Sequence, residues 1–226
     1  MSLVALKARL ADLTESAAPA SPGLPTGIAP LDRALPGGLP RGKVSVLVGP
    51  PGSGRTSVGR CIVETALAGQ LDVAVVDAQR TLAALDWAHL GEHDGFRVVR
   101  PPRPEQAAWC TDLLLRSGAF GLVVLDGGPT LDRTTAARLA GLARQHDAAL
   151  LVLADDGAAP PSAAVRLVVR REPRRWKRLV VIQVEKGGLR ERVEVPHAVR
   201  LVRRLAGHAE GPDRRGAALT ATETAS

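Results

Sequence analysis

The 226-residue chain is long enough for one full domain, and its composition, 45% hydrophobic but only 2% aromatic with no tyrosine, requires a core of aliphatic side chains. It carries a formal charge of +7, and residues 165–204 hold thirteen Arg and Lys against four Glu, which indicates an anionic partner for that region. No apolar run reaches the about 18 residues of a membrane span, no apolar block marks a signal peptide, and the two cysteines have no ligand or redox spacing. We therefore expect a soluble, cytoplasmic protein with reduced thiols.

Residues 1–15 are predicted to form an amphipathic helix, because four leucines recur at the spacing of one helix face: Leu3, Leu6, Leu10 and Leu13. Residues 16–24 follow as a linker rich in Pro, Ala and Ser. Because the linker sets the helix apart from the domain, its leucine stripe can be buried in two ways. Either it packs on its own domain, or it docks on another chain and mediates self-association or partner contact.

Residues 25–204 are predicted to form one α/β core. Apolar strands at "KVSVLVG", "DVAVVDA", "FRVVR", "GLVVLD" and "AALLVLAD" alternate with helices, among them "RTLAALDWAHLG" and "RPEQAAWCTDLLLRSG". Unbroken apolar strands in this order indicate a mostly parallel sheet that helices cover on both faces. We expect the few large aromatic residues in the core: Trp87, Phe96, Trp109 and Phe120.

The pattern changes beyond Pro160, where three strands are joined by turns at Glu172–Pro173 and Gly187–Gly188. This predicts an antiparallel meander appended to the parallel sheet. Residues 205–226 contain few large apolar side chains, so we expect a disordered tail there.

The stretch "GPPGSGRTS", residues 49–57, matches a phosphate-binding loop in every position but one. A glycine-rich turn between a strand and a helix lets backbone N–H groups converge on phosphate oxygens. The hydroxyl of Thr56 and the carboxylate of Asp126, which ends the strand "LVVLD", are the candidate Mg²⁺ groups. The permissive backbone of the loop comes from three glycines: Gly49, Gly52 and Gly54.

Arg55 stands where the loop pattern asks for lysine. Arginine keeps the positive charge but spreads it over a larger planar group, so the replacement is not conservative. Phosphate binding is left open by this change, but a catalytic geometry is harder to keep. We predict no cofactor, with ATP and Mg²⁺ as the alternative that the loop leaves open.

Residues 25–57, "PTGIAPLDRALPGGLPRGKVSVLVGPPGSGRTS", resemble the start of the RecA core, and the resemblance runs to about Val195. Residues 98–127, "VVRPPRPEQAAWCTDLLLRSGAFGLVVLDG", resemble more narrowly the ImuA family, RecA-like accessory proteins of bacterial translesion-synthesis cassettes. The SulA-type division inhibitors are more distantly similar. These resemblances imply a RecA-like core with the meander at its carboxyl end.

Three departures from an active RecA-type ATPase point the same way. The loop lysine is Arg55, the glutamate expected to activate water is Gln79, and the glutamine expected after "LLVLA" is Asp155 or Asp156. An amide cannot act as the general base, and an acidic residue adds negative charge on the phosphate side. Together they predict a degenerate, non-catalytic ATPase. The short segments "GGPTL" and "GAAPPS" also stand where a recombinase has its DNA-contacting loops, so strand exchange is not expected.

Residues 166–178, the basic hairpin, hold seven basic residues and one acid. Arginines suit phosphates, and an interleaved tryptophan can stack on an unpaired base, which makes this the candidate DNA-binding surface. The alternative is a solvated edge whose charges prevent aggregation of the sheet. The candidate DNA-binding residues are Arg166, Arg170, Arg171, Arg174, Arg175, Trp176, Lys177 and Arg178.

The leading hypothesis is a non-catalytic RecA-like accessory factor in DNA damage tolerance, acting in the SOS response and in mutagenesis by translesion synthesis. The resemblance to the ImuA family implies two protein partners, RecA and the ImuB-type, Y-family-polymerase-like protein of the cassette. In this hypothesis the basic hairpin binds single-stranded or primed DNA. Two alternatives stay open: a DNA-stimulated ATPase that tolerates Arg55, and a SulA-type cell-division inhibitor that acts by protein contact without DNA.

Overall fold

The computed structural model describes residues 22–35, 37–157, 160, 163–174 and 177–195, and at positions 173, 174, 177 and 178 it describes the backbone alone. The predicted helix over residues 1–15, most of the linker over 16–24 and the tail over 205–226 lie outside these residues. Those three predictions therefore stay predictions.

One eight-stranded sheet runs through the described chain. The strands are β1 Val44–Val48, β2 Val73–Asp77, β3 Phe96–Val99, β4 Leu122–Asp126, β5 Ala149–Ala154, β6 Val165–Arg174, β7 Lys177–Lys186 and β8 Arg192–Val195. Their order across the sheet is β3-β2-β4-β5-β1-β6-β7-β8. Neighbouring strands are parallel from β3 to β6, while β7 pairs antiparallel with β6 and with β8. This confirms the predicted parallel sheet with an appended antiparallel meander.

Helices cover both faces of the sheet, as the unbroken apolar strands predicted. The helices are α1 Ala29–Ala34, α2 Arg55–Ala68, α3 Ala84–Trp87, α4 Ala107–Ser117 and α5 Arg133–Gln145, with 3₁₀ turns at Ala88–Glu92 and Pro104–Gln106. One buried cluster joins the sheet to α1, α2 and α3, through residues such as Leu31, Ile62 and Trp87. A second joins the opposite face to α4 and α5, through residues such as Leu115 and Leu139.

The predicted helix "RTLAALDWAHLG" is shorter than expected. Arg80 adopts a left-handed conformation with φ 57°, and the backbone N–H of Thr81 donates to the Asp77 carboxylate. The chain therefore forms a turn at Arg80 and Thr81 before the helix begins. Helix α3 starts only at Ala84 and continues as a 3₁₀ turn.

Trp109 is the one aromatic residue whose predicted core position is wrong. Trp87 and Phe96 are buried and stack with ring centroids 6.0 Å apart, and Phe120 is half-buried. Trp109, in contrast, is 62% exposed. The inward side of α4 is filled by smaller residues and leucines, such as Ala107 and Leu115, and Trp109 lies on the opposite side of the helix.

The first turn of the meander also lies later than predicted. Glu172 and Pro173 are inside β6, which runs to Arg174 before β7 begins at Lys177. Strand β6 pairs with β1 only as far as Val168, so Pro173 stands in a stretch with a partner on one side. That is the position in which a sheet tolerates the missing N–H of proline. The turn at Gly187–Gly188 falls directly after β7, as predicted.

Candidate functional site

The predicted phosphate-loop residues converge at the carboxyl edge of the parallel strands. The loop follows β1, and strand register places Val48 beside Ala154 of β5 and Asp77 of β2 beside Asp126 of β4. The end of β5 leads directly to Asp155. In open α/β sheets this edge is the usual position of a ligand site.

The loop has the backbone of a phosphate cradle. Gly52 and Gly54 adopt left-handed conformations, with φ 78° and 99°, that side chains with a Cβ rarely adopt. The N–H groups of Gly52, Gly54 and Thr56 donate to no group of the described chain. Because these donors lie at the start of α2, they can receive an anion.

The Arg55 guanidinium binds two groups of its own chain. Its Nη1 donates to the carbonyl oxygen of Gly49 at 2.5 Å and to the Asp155 carboxylate. The Arg55 side chain is 14% exposed and the Asp155 side chain is 54% exposed, so the cation is covered while the carboxylate stays open to solvent. The positive charge at the lysine position is therefore paired with groups of the protein itself.

Asp77 and Asp126 lie side by side, but among the described residues only Asp77 forms an ion pair. Asp77 is fully buried, and its Oδ2 accepts from Nε of Arg100 at 2.9 Å. Asp126 is 3% exposed, and its buried Oδ2 has no hydrogen-bond partner within the described chain. Burial is the main cause that raises the pKa of Asp126 to about 6; Arg55 lowers this pKa in part, and the carboxylates of Asp77 and Asp155 add to the rise.

Gln79 lies at the same pocket as the Arg55–Asp155 pair. The pocket lies between the ends of β4 and β5, and Gly127 forms part of its wall. The side chain of Gln79 packs against Gly127 so closely that a Cβ at that glycine would lie 3.0 Å from Gln79 Cγ. Three of the positions predicted to carry the departures from an ATPase, Arg55, Gln79 and Asp155, are thus brought together.

Asp77 and Arg100 belong to this edge of the sheet but were not among the predicted site residues. Asp77 ends an apolar strand in "VAVVD" in the same way as Asp126 ends "LVVLD", so the signal for it was present in the sequence. Arg100 carried no such signal, because its pairing with Asp77 depends on β3 lying next to β2.

The basic hairpin begins beside the loop. A Cβ at Gly49 would overlap the carbonyl oxygen of Val169 in β6, and a Cβ at Gly54 would lie 2.8 Å from a methyl group of Val180 in β7. Since β6 continues six residues past Val168, the last residue paired with β1, the hairpin projects from the same edge as the loop.

The predicted DNA-binding residues differ in whether their charges are already paired with acidic residues. Arg166 is paired with Glu185 at 2.7 Å, Arg170 lies 3.9 Å from Asp156, and Arg171 is exposed with no ion pair among the described residues. Backbone register pairs Arg174 with Lys177 and places Arg178 opposite Pro173. Arg175 and Trp176 lie outside the described residues.

Replacing Asp126 with asparagine should stabilise the fold at neutral pH. The folded pKa of about 6 exceeds the unfolded value of about 3.9, so the unfolded chain loses its proton first as pH rises. The free-energy penalty of burying the ionised carboxylate grows between about pH 4 and 6 and is complete by about pH 7. We expect Asp126→Asn to raise the free energy of unfolding by about 2–3 kcal/mol at neutral pH and to change it little near pH 4, as measured by urea titration.

Asp132→Asn is the control of opposite sign. Asp132 caps α5 by accepting from the backbone N–H of Thr135 at 2.8 Å, and this bond lowers the pKa of its carboxyl group. Its stabilising effect is present at neutral pH and is lost as pH falls, so Asp132→Asn should destabilise the protein at neutral pH. If Asp126→Asn also loses stability at neutral pH, neighbouring groups must stabilise the charged carboxylate of Asp126 in the folded protein.

Among the described helices none is long and apolar enough to cross a membrane. The described residues likewise contain no group of three or more His, Cys, Asp and Glu arranged to hold a metal ion.

The chain matches the family model described as RecA N-terminal domain over residues 7–147. It is 40% identical over 120 residues to the protein RecA of Frankia casuarinae, which covers 52% of this chain and 34% of that one. Over 105 residues it is 42% identical to the protein RecA of Mycobacterium ulcerans and 41% identical to that of Kineococcus radiotolerans, in both cases 46% of this chain and 30% of the relative. The chain therefore spans about a third of the length of the curated relatives it matches.

Proposed function

Because this chain belongs to the RecA family, we propose that it is a non-catalytic RecA-like accessory factor in DNA damage tolerance. In this proposal it acts in the SOS response and translesion synthesis, binds DNA, and bridges RecA and an ImuB-type, Y-family-polymerase-like partner. The similarity of residues 98–127 to the ImuA family supports this finer assignment. The RecA relatives are about three times as long as the part that matches, so their own activities are not carried over.

The single observation that carries the non-catalytic assignment is the position of Arg55. A phosphate-loop lysine contributes by placing its charge on the β- and γ-phosphates. Here the Arg55 guanidinium is bound to Asp155 and to the carbonyl of Gly49 instead. A nucleotide would have to break this ion pair to recruit the cation, and the Asp155 carboxylate would then repel the γ-phosphate.

The position of Gln79 supports the same assignment. It lines the same pocket as Arg55 and Asp155, and it stands where the resemblance to RecA-type ATPases implies the glutamate that activates water. A carboxylate there can accept the proton of that water, whereas an amide cannot. In this proposal the pocket therefore has no free cation at position 55 and no general base at position 79.

The location of the basic hairpin supports the DNA-binding part of the proposal. Arg170 and Arg171 are exposed, and the hairpin extends beyond the edge of the sheet, where a nucleic-acid strand can reach it from several sides. The pairing of Arg166 with Glu185 fits the alternative of a solvated edge, so we place the DNA contacts at the far end of the hairpin.

A hydrolysis assay with single-stranded DNA tests the non-catalytic assignment. We expect no release of phosphate above background, and no difference between the parent protein and Asp126→Ala. Turnover well above background that is lost in Asp126→Ala would identify a DNA-stimulated ATPase instead. That alternative is favoured by one observation, the buried Oδ2 of Asp126, which has no partner in the described chain and can receive a Mg²⁺ ion or its water.

A further inference from the structure

The phosphate loop is held in shape by hydrogen bonds of its own. The backbone N–H of Ser53 donates to the carbonyl oxygen of Pro50 at 3.0 Å, and the backbone N–H of Arg55 donates to Oγ of Ser53 at 3.3 Å. Ser53 is 3% exposed, so these bonds lie inside the protein. The free N–H groups at the start of α2 therefore stand in place without any anion, and a site that is formed in advance loses little freedom on binding.

The cation of the loop, in contrast, is already taken. Nη1 of Arg55 donates to the Asp155 carboxylate and to the carbonyl oxygen of Gly49, the first residue of the loop. The other N–H groups of a guanidinium can still donate, but a carboxylate that offsets its charge leaves little attraction for a second anion. A phosphate that reaches the loop would thus meet an ion pair with no net charge.

The neighbouring carboxylates increase the importance of this one contact. Burial is the main cause of the raised pKa of Asp126, but Arg55 lowers that pKa and Asp155 raises it, so these three groups act on one another. Asp77, the next carboxylate along this edge, is paired with Arg100. Arg55 therefore stands against two carboxylates, Asp126 and Asp155, and only the loss of one of them would balance the charge around it.

We propose that the Asp155 carboxylate is an internal competitor for the Arg55 guanidinium, and that this contact keeps the loop closed to a polyphosphate chain. The Asp155 side chain is 54% exposed, so the pair can be opened from the solvent side without unfolding the sheet. The proposal rests on the non-catalytic function proposed above, because it treats the loop as a binding element. A loop released from Asp155 would still have Gln79 where a general base is needed, and it would bind without hydrolysis.

Calorimetric titration of the full chain with inorganic tripolyphosphate tests the proposal. The buffer contains no Mg²⁺, so that Asp126 cannot contribute through a metal ion. We expect Asp155→Asn to bind tripolyphosphate at least about tenfold more tightly than the parent, because hydrogen bonds between a guanidinium and a phosphate are among the strongest in proteins. ATP should show a similar gain, since the loop groups contact phosphate oxygens. A gain for neither anion, or for ATP alone, would overturn the proposal.

Asp156→Asn is the matched control. It removes the same charge from the next residue, whose side chain is 51% exposed and lies 3.9 Å from Arg170 of the basic hairpin. This variant should bind tripolyphosphate as the parent does. The double variant Asp155→Asn, Arg55→Gln should lose the gain. An equal gain in Asp156→Asn, or a gain that survives without Arg55, would show that general repulsion and not the ion pair excludes the anion.

Thermal unfolding provides a second readout. Without ligand, the thermal midpoint of Asp155→Asn should lie below that of the parent, because Arg55 is 14% exposed and loses its carboxylate. Tripolyphosphate should raise the midpoint of the variant more than that of the parent, and equal shifts would contradict the proposal. If Asp155→Asn does not fold, Asp155→Ser carries the same expectations. Phosphate release by the parent would count against the proposed function, whereas a missing gain in binding would overturn this inference alone.

Discussion

Replacing four arginines of the basic hairpin with glutamine is expected to weaken the binding of single-stranded DNA about 500-fold at about 0.1 M salt. The same change should reduce the slope of log affinity against log salt by about three, because each phosphate contact on a single strand releases about 0.7 counterion. Fluorescence anisotropy with a labelled oligonucleotide, titrated at several salt concentrations, measures both quantities. The four arginines are Arg170, Arg171, Arg174 and Arg175.

The control for this prediction removes the same charge from elsewhere. Four exposed arginines without an ion pair in the described chain serve for it, and their replacement by glutamine should change the affinity only slightly. If the control loses as much affinity as the hairpin variant, binding depends on net charge and not on the hairpin. Unchanged binding by the hairpin variant would remove the hairpin from the DNA-binding surface. The control residues are Arg33, Arg133, Arg144 and Arg190.

Gly49→Ala is expected to lower the free energy of unfolding by about 3 kcal/mol, a large effect for one methyl group. The new Cβ would overlap the carbonyl oxygen of Val169 and lie 2.7 Å from Oγ of Ser53. The first obstacle is backbone of a strand paired to β1, so it cannot rotate away as a flexible side chain would. Urea titration of the variant and the parent measures the loss.

Substitutions at two other glycines distinguish the steric clash expected at Gly49 from the cost of a positive φ. Gly52 has open space around it but a φ of 78°, so Gly52→Ala should cost only about 1 kcal/mol. Gly91 has open space and no positive φ, so Gly91→Ala should leave the stability nearly unchanged. A loss in Gly49→Ala no larger than that in Gly52→Ala would show that β6 can move away from the loop.

The parallel core could be predicted because its signal is local. Each inner strand, such as β4 or β5, is a continuous apolar run bounded by polar residues, and only a strand buried on both faces tolerates that pattern. The loop and Asp126 could be predicted for a similar reason, since the glycine spacing and the acid at a strand end are readable within a few residues.

The features that could not be predicted depend on distant parts of the chain. The ion pair of Arg55 joins residues one hundred positions apart, and it forms because β1 and β5 pair in the register that places Val48 beside Ala154. The strand around Pro173 was predicted as a turn because the sequence does not reveal that β6 extends past the end of its neighbour β1 at that point. The exposure of Trp109 likewise depends on which side of α4 the smaller residues had already filled.

The Arg55–Asp155 pair bears on whether the shape of the phosphate loop depends on the ATP concentration in the cell. A carboxylate that is part of the same chain is present at an effective concentration that a dissolved ligand does not reach. In the proposed function, the loop therefore keeps the shape set by the Arg55–Asp155 pair whether ATP is abundant or scarce.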